Sequence, residues 1–384
     1  MKITVKKSNL DATVQIASIA IGGGDDDTIS SHFLFRYREG KVEVLGSNGL
    51  RLIAGGPVAG AVVEDGVDGQ AFTAPAWRVR EWLAAIGNND EEISLVHEKG
   101  ATKALSKRGS GKFGSLDPKG FPIVDDTLRD AVDVGSMDAT RLTGVLSYAR
   151  QFVSDQETRH PPLVAVECRE GILNATDSVG VVMVSSPILA KSGLRVHGKD
   201  VTQLLSFLSL KGSEEISLLE HPSLLVVRRA DNHFIGIAKW IHEFPKLKIK
   251  KDEPPRCWFS VPTADLTVAI KYLGAFAKKD DNNLHIRFDD GQVFLSVDSA
   301  SGDEERAEQP IPCVEHDGMN LLAEDGYSEF MVSKRYVNIL AAAATEGAPL
   351  RFGINWVKNN GYITVTRESN GDEFFTLVVW TRKK

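Results

Sequence analysis

The pentapeptide Glu-Glu-Ile-Ser-Leu stands twice in this chain, at 91–95 and at 214–218, 123 positions apart. Such a recurrence constrains the fold strongly if other landmarks keep the same offset. Phe121-Pro122 and Phe244-Pro245 keep it. Upstream of each pentapeptide lies a segment with apolar residues at helical spacing: Val79, Trp82, Leu83 and Ile86 in one, Val201, Leu204, Leu205 and Leu208 in the other. A third such segment, with Val337, Leu340, Ala341 and Ala344 on one face, precedes PLRFGI, which keeps the frame without the acidic pair. The repeat is threefold. The pentapeptide reads as the strand after the second helix of each copy, its carboxylates facing solvent.

The other half of each copy agrees. HFLFRYREGKVEVLGSN, LVAVECREGILNATD and LHIRFDDGQVFLSVD each read as strand, tight turn and strand, with Gly40, Gly171 and Gly291 in the turns. Amphipathic helix candidates at 8–21, 138–153 and 262–279 precede them. Further strands follow the second helix, with breaks expected at Gly100, His221-Pro222 and Asn360-Gly361, then at 109–111, Asp231-Asn232 and Asn370-Gly371. Each copy runs helix, hairpin, helix, meander. The boundaries implied are 1–129, 130–253 and 254–384, the charged, proline-bearing stretch 250–256 being the clearer linker. Units of this size exceed the ~20–50-residue period of solenoids, so they are domains. The fold class is α+β: three repeated domains with two helices each, helices gathered on one surface and antiparallel sheets on the other.

Composition bounds what such a chain does. Of 384 residues, 42% are hydrophobic and 25% charged, the balance of a soluble globular protein. Cys168, Cys257 and Cys313 are far apart and odd in number, which suits unpaired thiols in a reducing cytoplasm and lacks zinc-site spacing. The charged opening MKITVKKSNLD has no apolar core of a secretory signal, and no run approaches the ~20 apolar residues of a membrane span. A net charge of −7 argues against a coat of nucleic acid but leaves room for a local basic surface. The motifs GxSxG, HExxH and a dinucleotide fingerprint are missing, so no enzyme class, cofactor or metal is indicated.

The order and spacing of MKITVKKSNL, FTAPAWRVREWLAAI, KGFPIVDD, LNATDS, VHGKDVTQLLSFL, EFPKL and FFTLVVW resemble the bacterial DNA sliding clamp, the beta subunit of DNA polymerase III, over the whole chain. The resemblance implies a cytoplasmic, non-catalytic processivity factor: a head-to-tail homodimeric ring, helices inside and sheets outside, that encircles double-stranded DNA. Its partners would be a replicative DNA polymerase, a clamp loader and other proteins with a clamp-binding motif. Geometry supports two copies independently. Six helices of ~10–12 Å diameter enclose a bore of only ~10 Å, too narrow for duplex DNA, whereas twelve enclose ~30 Å.

A clamp needs a mildly basic, sequence-blind lining. Opposite the apolar stripe Leu266, Ile270, Leu273 and Ala277 stand Lys271 and Lys278; opposite the leucines of 199–210 stands Lys199; Arg335 lies opposite Leu340, and Arg78 and Arg80 lie nearer the margin of the first copy. The resemblance places a partner-peptide groove between the second and third domains, matched here by Thr176, Asp177, Val179, Val181, Pro245, Ile249, Val378, Val379 and Trp380. It places the dimer interface between first and third domains, matched by Phe113 and Phe276.

This chain departs from the family at the groove and the first loop. Val179-Gly180-Val181 stands where bacterial clamps typically carry His-Arg-Leu, and WTRKK replaces their Met-Pro-Met-Arg-Leu ending. IGGGDDD at 21–27 replaces an apolar run after the first helix; its Asp25, Asp26 and Asp27 read as an acidic surface loop, not a phosphate loop or metal site. Such divergence on a preserved framework fits a clamp serving a divergent replisome, a phage-encoded copy being one source. The competing reading is a three-domain scaffold of the same fold that makes protein contacts without encircling DNA.

Overall fold

The computed structural model describes residues 1–22, 28–49, 51–122, 125–212, 214–247, 249, 251–277, 283–298, 306–327, 329–342, 348–357 and 360–382. The Asp25–Asp27 loop and Lys278 therefore lie outside the described residues.

Six longer helices occur in the order the repeat requires: Lys7–Ser18 and Ala76–Ala85, Ala139–Arg150 and Gly198–Leu208, Thr263–Gly274 and Lys334–Ala342. The same closure recurs in all three copies. The strand that opens a repeat pairs antiparallel with the strand after its second helix: Lys2–Lys6 with Glu92–Glu98, Val132–Asp138 with Glu215–Glu220, and Cys257–Pro262 with Pro349–Val357. Ile93 faces Val5, Ile216 faces Met137, and Phe352 faces Phe259 across these pairs. The repeated pentapeptide thus carries the closing strand, as its spacing implied. One of its carboxylates corrects the expectation. Glu92, Glu214 and Glu215 are exposed, but Glu91 is buried and accepts the Lys107 N–H at 2.6 Å.

The hairpin turns form for a shared reason. Glu39-Gly40, Glu170-Gly171 and Asp290-Gly291 all have both residues at positive φ, the conformation a two-residue turn needs to match strand twist. Two expected breaks fall earlier than placed: the turn stands at 107–108, and Pro349–Val357 gives way to the next strand before Gly361. Gly109–Gly114 is a strand, and Gly361 lies inside the strand Asn360–Ser369. A Cβ on Gly361 would come 2.2 Å from the Trp380 indole, so this glycine serves packing and not a turn.

By contacts the chain forms two compact units, Met1–Leu146 with Ser192–Ile241, and Ser147–Lys191 with His242–Lys384. Neither follows the repeat boundaries, because the sheets run through them. In the first unit an 8-stranded sheet has the order Val132–Asp138, Glu215–Glu220, Leu224–Arg229, Phe234–Ala238, Leu52–Pro57, Lys41–Ser47, His32–Arg38, Ala71–Pro75. Phe234–Ala238 of the second repeat pairs there with Leu52–Pro57 of the first. A 5-stranded sheet, Val62–Glu64, Lys2–Lys6, Glu92–Glu98, Ala101–Ser106, Gly109–Gly114, completes this unit. In the second unit Gly180–Ser185 of the middle repeat pairs with Asp372–Arg382 of the third.

Strand alternation decides the layers. Phe33, Phe35, Val42 and Val44 bury against Leu10, Val14, Val79 and Leu83 of the helices. Their neighbours Leu34 and Leu45 turn to the opposite face, where they meet Phe121. Each fully buried Phe or Leu contributes roughly 1.5–3 kcal/mol. Gly46 is required where the first helix meets the sheet, since a Cβ there would come 2.0 Å from the Ala17 carbonyl.

Candidate functional site

On the helices, every described basic residue expected on the lining is off the apolar stripe. Arg78, Arg80, Lys199, Lys271 and Arg335 are exposed, while Val79, Leu83, Val201, Leu204, Leu266, Ile270, Val337 and Leu340 are buried. The guanidinium of Arg78 lies 5.0 Å from the Trp77 ring centre. The Lys199 N–H is capped by His197 Nδ1 at 3.1 Å, which starts its helix. Arg335 differs from the rest. It pairs with Asp177 at 3.3 Å and donates to the Gln151 carbonyl, so much of its charge is already answered within the chain. The remaining faces carry short polar groups, Thr202, Ser206 and Ser209 among them.

The groove residues lie in the second unit and divide by strand alternation. Val378 and Trp380 are buried, at 1% and 0% exposure. Trp380 packs on Tyr327 and Phe330 with ring centres 5.4 and 5.2 Å away, so it is core and offers nothing to a partner. Thr176 is buried too: its hydroxyl donates to the Gly180 carbonyl at 2.8 Å and accepts the Ser178 N–H at 3.1 Å. These three correct the sequence expectation. Adjacent strand residues point to opposite faces, so Val378 and Val379 cannot serve one groove.

Val379 does face out, at 39% exposure, beside Val179 at 42%, and its N–H donates to the Val179 carbonyl at 3.0 Å. Val181 sits opposite Leu377 and is half-buried. On this face a pocket of about 200 Å³ is lined by Ile249, Glu253, Asn355, Tyr362, Thr364, Phe375 and Leu377. Pro245 is exposed and is not among these lining residues. Sequence reasoning missed Phe375, Leu377 and Tyr362. The period of two along FFTLVVW, which sets Phe375, Leu377 and Val379 on one face, is the signal that finds the first two. A salt bridge from Lys251 to Glu373 at 2.9 Å stands nearby.

Behind this face Gly180 makes room for aromatic rings. A Cβ there would lie 2.5 Å from Tyr336 and 2.8 Å from Phe152. Tyr336 donates its hydroxyl to Asp177, and burial first, then that carboxylate, raises its pKa well above the ordinary phenol value. The glycine in Val179-Gly180-Val181 is therefore a packing requirement of this chain.

The two expected interface residues have different surroundings. Phe113 is buried at 6% exposure, edge-on to Trp82 at 6.1 Å, in the core of the first unit. Phe276 is 41% exposed and packs on Tyr272, which is 49% exposed; with Val268 at 67% they form an apolar stripe spaced by four residues along Thr263–Gly274 and into the turn that follows it. Gly109–Gly114 ends its sheet in one unit and Arg306–Pro312 ends its strand path in the other.

Among the described residues no group of three His, Cys, Asp or Glu is placed to hold a metal ion, and no helix is long and apolar enough to cross a membrane. The cysteines are free, and burial pushes the Cys257 thiol up to about 12 and that of Cys313 to about 11.

Threefold repeats of paired helices backed by antiparallel sheets define the DNA-clamp fold, and solved structures carry this fold over the full chain. The chain is similar to the DNA polymerase sliding clamp from Bacillus subtilis, at 17% identity and TM-score 0.81. It is likewise similar to the DNA polymerase III subunit beta from Pseudomonas aeruginosa, at 16% and 0.79, and to that from Thermotoga maritima, at 14% and 0.79. Each match covers 100% of both chains. No family model and no curated protein sequence matches.

Proposed function

We propose that this chain is a processivity factor for DNA replication. Two copies close head to tail around duplex DNA, the three repeats 1–129, 130–253 and 254–384 acting as its domains. The end-to-end likeness to sliding clamps carries this reading. The exposed Val268–Tyr272–Phe276 stripe and the terminal strands Gly109–Gly114 and Arg306–Pro312 support a second copy, since unpaired strand edges and apolar stripes call for partners. DNA lies on the helix side, where Arg78, Arg80, Lys199 and Lys271 supply phosphate attraction without base reading. The short polar side chains between them favour water-mediated sliding. Polymerase, loader and other partners insert an apolar peptide side chain beside Ile249, Tyr362 and Leu377, with Val179 and Val379 on the same face. No step of bond chemistry is required.

Sedimentation tests the assembly: a mass of about 84 kDa, twice the 41.9 kDa chain, is expected. After loading, protein is expected to stay on closed circular DNA and to run off once the circle is cut. A monomer, or equal retention on both DNA forms, would leave only the clamp-fold scaffold.

A further inference from the structure

A second pocket, of about 510 Å³, opens on the face of the 8-stranded sheet to which Leu45 turns, away from Lys7–Ser18 and Ala76–Ala85. Its floor is apolar, made by Leu45, Ile53, Leu128 and Phe234; its walls carry Arg36, Arg38, Lys41 and Arg228 with Glu39, Glu43 and Asp125. All three carboxylates are engaged. Glu43 and Asp125 pair with Arg36 at 2.6 and 2.5 Å, Asp125 with Arg38 at 2.9 Å, and Glu39 with Arg38 at 3.3 Å. The side chains of Lys41 and Arg228 have no ion-pair or hydrogen-bond partner among the described residues.

The chain itself shows what fits. The short helix Asp125–Asp130 lies at the pocket wall, its Asp125 held by Arg36 and Arg38 and its Leu128 packed in an apolar cluster with Leu219, Leu224 and Val226. An acidic residue and a leucine three positions on, one helical turn apart, thus already line the pocket. Lys41, opposite Arg38 at the Asp125 end, and Arg228, opposite Phe234 at the Leu128 side, flank them, with Leu45 and Ile53 in the floor. The pocket's position repeats. It stands where Phe234–Ala238 crosses from one repeat to pair with Leu52–Pro57 of another, the counterpart of the strand pair beside the 200 Å³ pocket of the second unit.

We infer that this pocket docks a short acidic peptide segment of a partner protein, its carboxylates on Lys41 and Arg228 and one apolar side chain on Leu45 and Ile53. Nucleic acid is the poorer occupant. The pocket lies on the sheet face opposite the long helices Lys7–Ser18 and Ala76–Ala85, and its apolar floor and three carboxylates do not suit a phosphate backbone.

The test uses the full chain and a fluorescein-labelled, C-amidated peptide, Asp-Asp-Thr-Leu-Asp-Asp, patterned after the chain's own acidic turn and read by anisotropy. Saturable binding is expected, weakened about tenfold or more in the K41E/R228E protein and in peptides with Asn for Asp or Ala for Leu. K41M/R228M guards against effects of charge reversal on folding and is expected to weaken binding likewise. V379D, on the face of the other pocket, is expected to leave the affinity for this acidic peptide unchanged. No saturable binding at millimolar peptide, or undiminished affinity in the K41E/R228E and K41M/R228M proteins, overturns the inference. So does displacement of the peptide by a short DNA duplex from the unsubstituted protein, which would give these cations to nucleic acid.

Discussion

Replacing Trp380 and Val379, neighbours on one strand, separates core from binding surface. Trp380 has no accessible surface and packs on Tyr327 and Phe330, with Gly361 leaving space for the indole. Trp380→Ala removes the whole indole from a site that cannot collapse easily, a cost of about 3–5 kcal/mol. That is a large share of the ~5–15 kcal/mol that keeps a protein folded. Val379→Ala changes a residue with 39% of its surface in water and is expected to stay within ~0.5 kcal/mol. Native-state hydrogen exchange of the amides in Asp372–Arg382 reads both effects locally and does not need whole-chain two-state unfolding. Peptide binding is read with acetyl-Leu-Phe-amide, chosen for a pocket lined by Tyr362, Phe375 and Leu377. V379D is expected to abolish its binding and leave protection unchanged; W380F is expected to lower protection and leave binding unchanged. If W380F abolishes binding while V379D does not, the indole faces the partner and the assignment of faces is reversed.

Val268→Glu with Phe276→Glu is expected to convert the dimer to a 41.9 kDa monomer in sedimentation without loss of helical circular dichroism. Lys199→Glu with Lys271→Glu is expected to weaken DNA association at low salt, and to flatten its log–log salt dependence by roughly 0.9 for each phosphate no longer neutralised. Arg335→Ala is expected to act more through local stability, because its guanidinium is bound to Asp177 and Gln151. Burial lowers the pKa of His233, which faces Asp231, Arg229 and Thr13, and that of His97, near the chain's amino terminus. A histidine with a depressed folded pKa contributes stability that is present above its unfolded value of 6.5 and is lost as pH falls through the folded value. Thermal melts of the native chain are therefore expected to lose stability below pH 6.5, and those of His233→Gln less steeply.

The architecture was legible because it was written three times. An offset shared by Ile93 and Ile216 and by two Phe-Pro pairs, with a hairpin glycine recurring once in each copy, located every long helix within a few residues. The site was less legible, since the matched positions do not say which way a side chain points. The resemblance gave Trp380 and Val378 to the partner groove, yet strand register turns them to the other face, and Phe375 and Leu377, themselves buried, line the pocket instead. Gly361 read as a turn for the same reason: a glycine marks a missing Cβ, and only the Trp380 ring shows why it is missing. Phe113 carries no sequence signal that separates an interface ring from one packed on Trp82.

Sheets that cross the repeat boundaries bear on how this chain can be taken apart. A gene cut at 129 or 253 yields fragments that look modular on paper. Yet cutting at 129 strips Leu52–Pro57 of one of its two neighbours, Phe234–Ala238, and cutting at 253 strips Gly180–Ser185 of one of its own, Asp372–Arg382. Each fragment would present a raw hydrogen-bonding edge to solvent, the usual start of aggregation. The periodicity of the text and the seams of the object do not coincide: the units exchange chain after Leu146, Lys191 and Ile241, not after 129 and 253. Single repeats expressed alone are thus expected to be insoluble, whereas co-expressed pieces that keep both strand pairs together should reassemble.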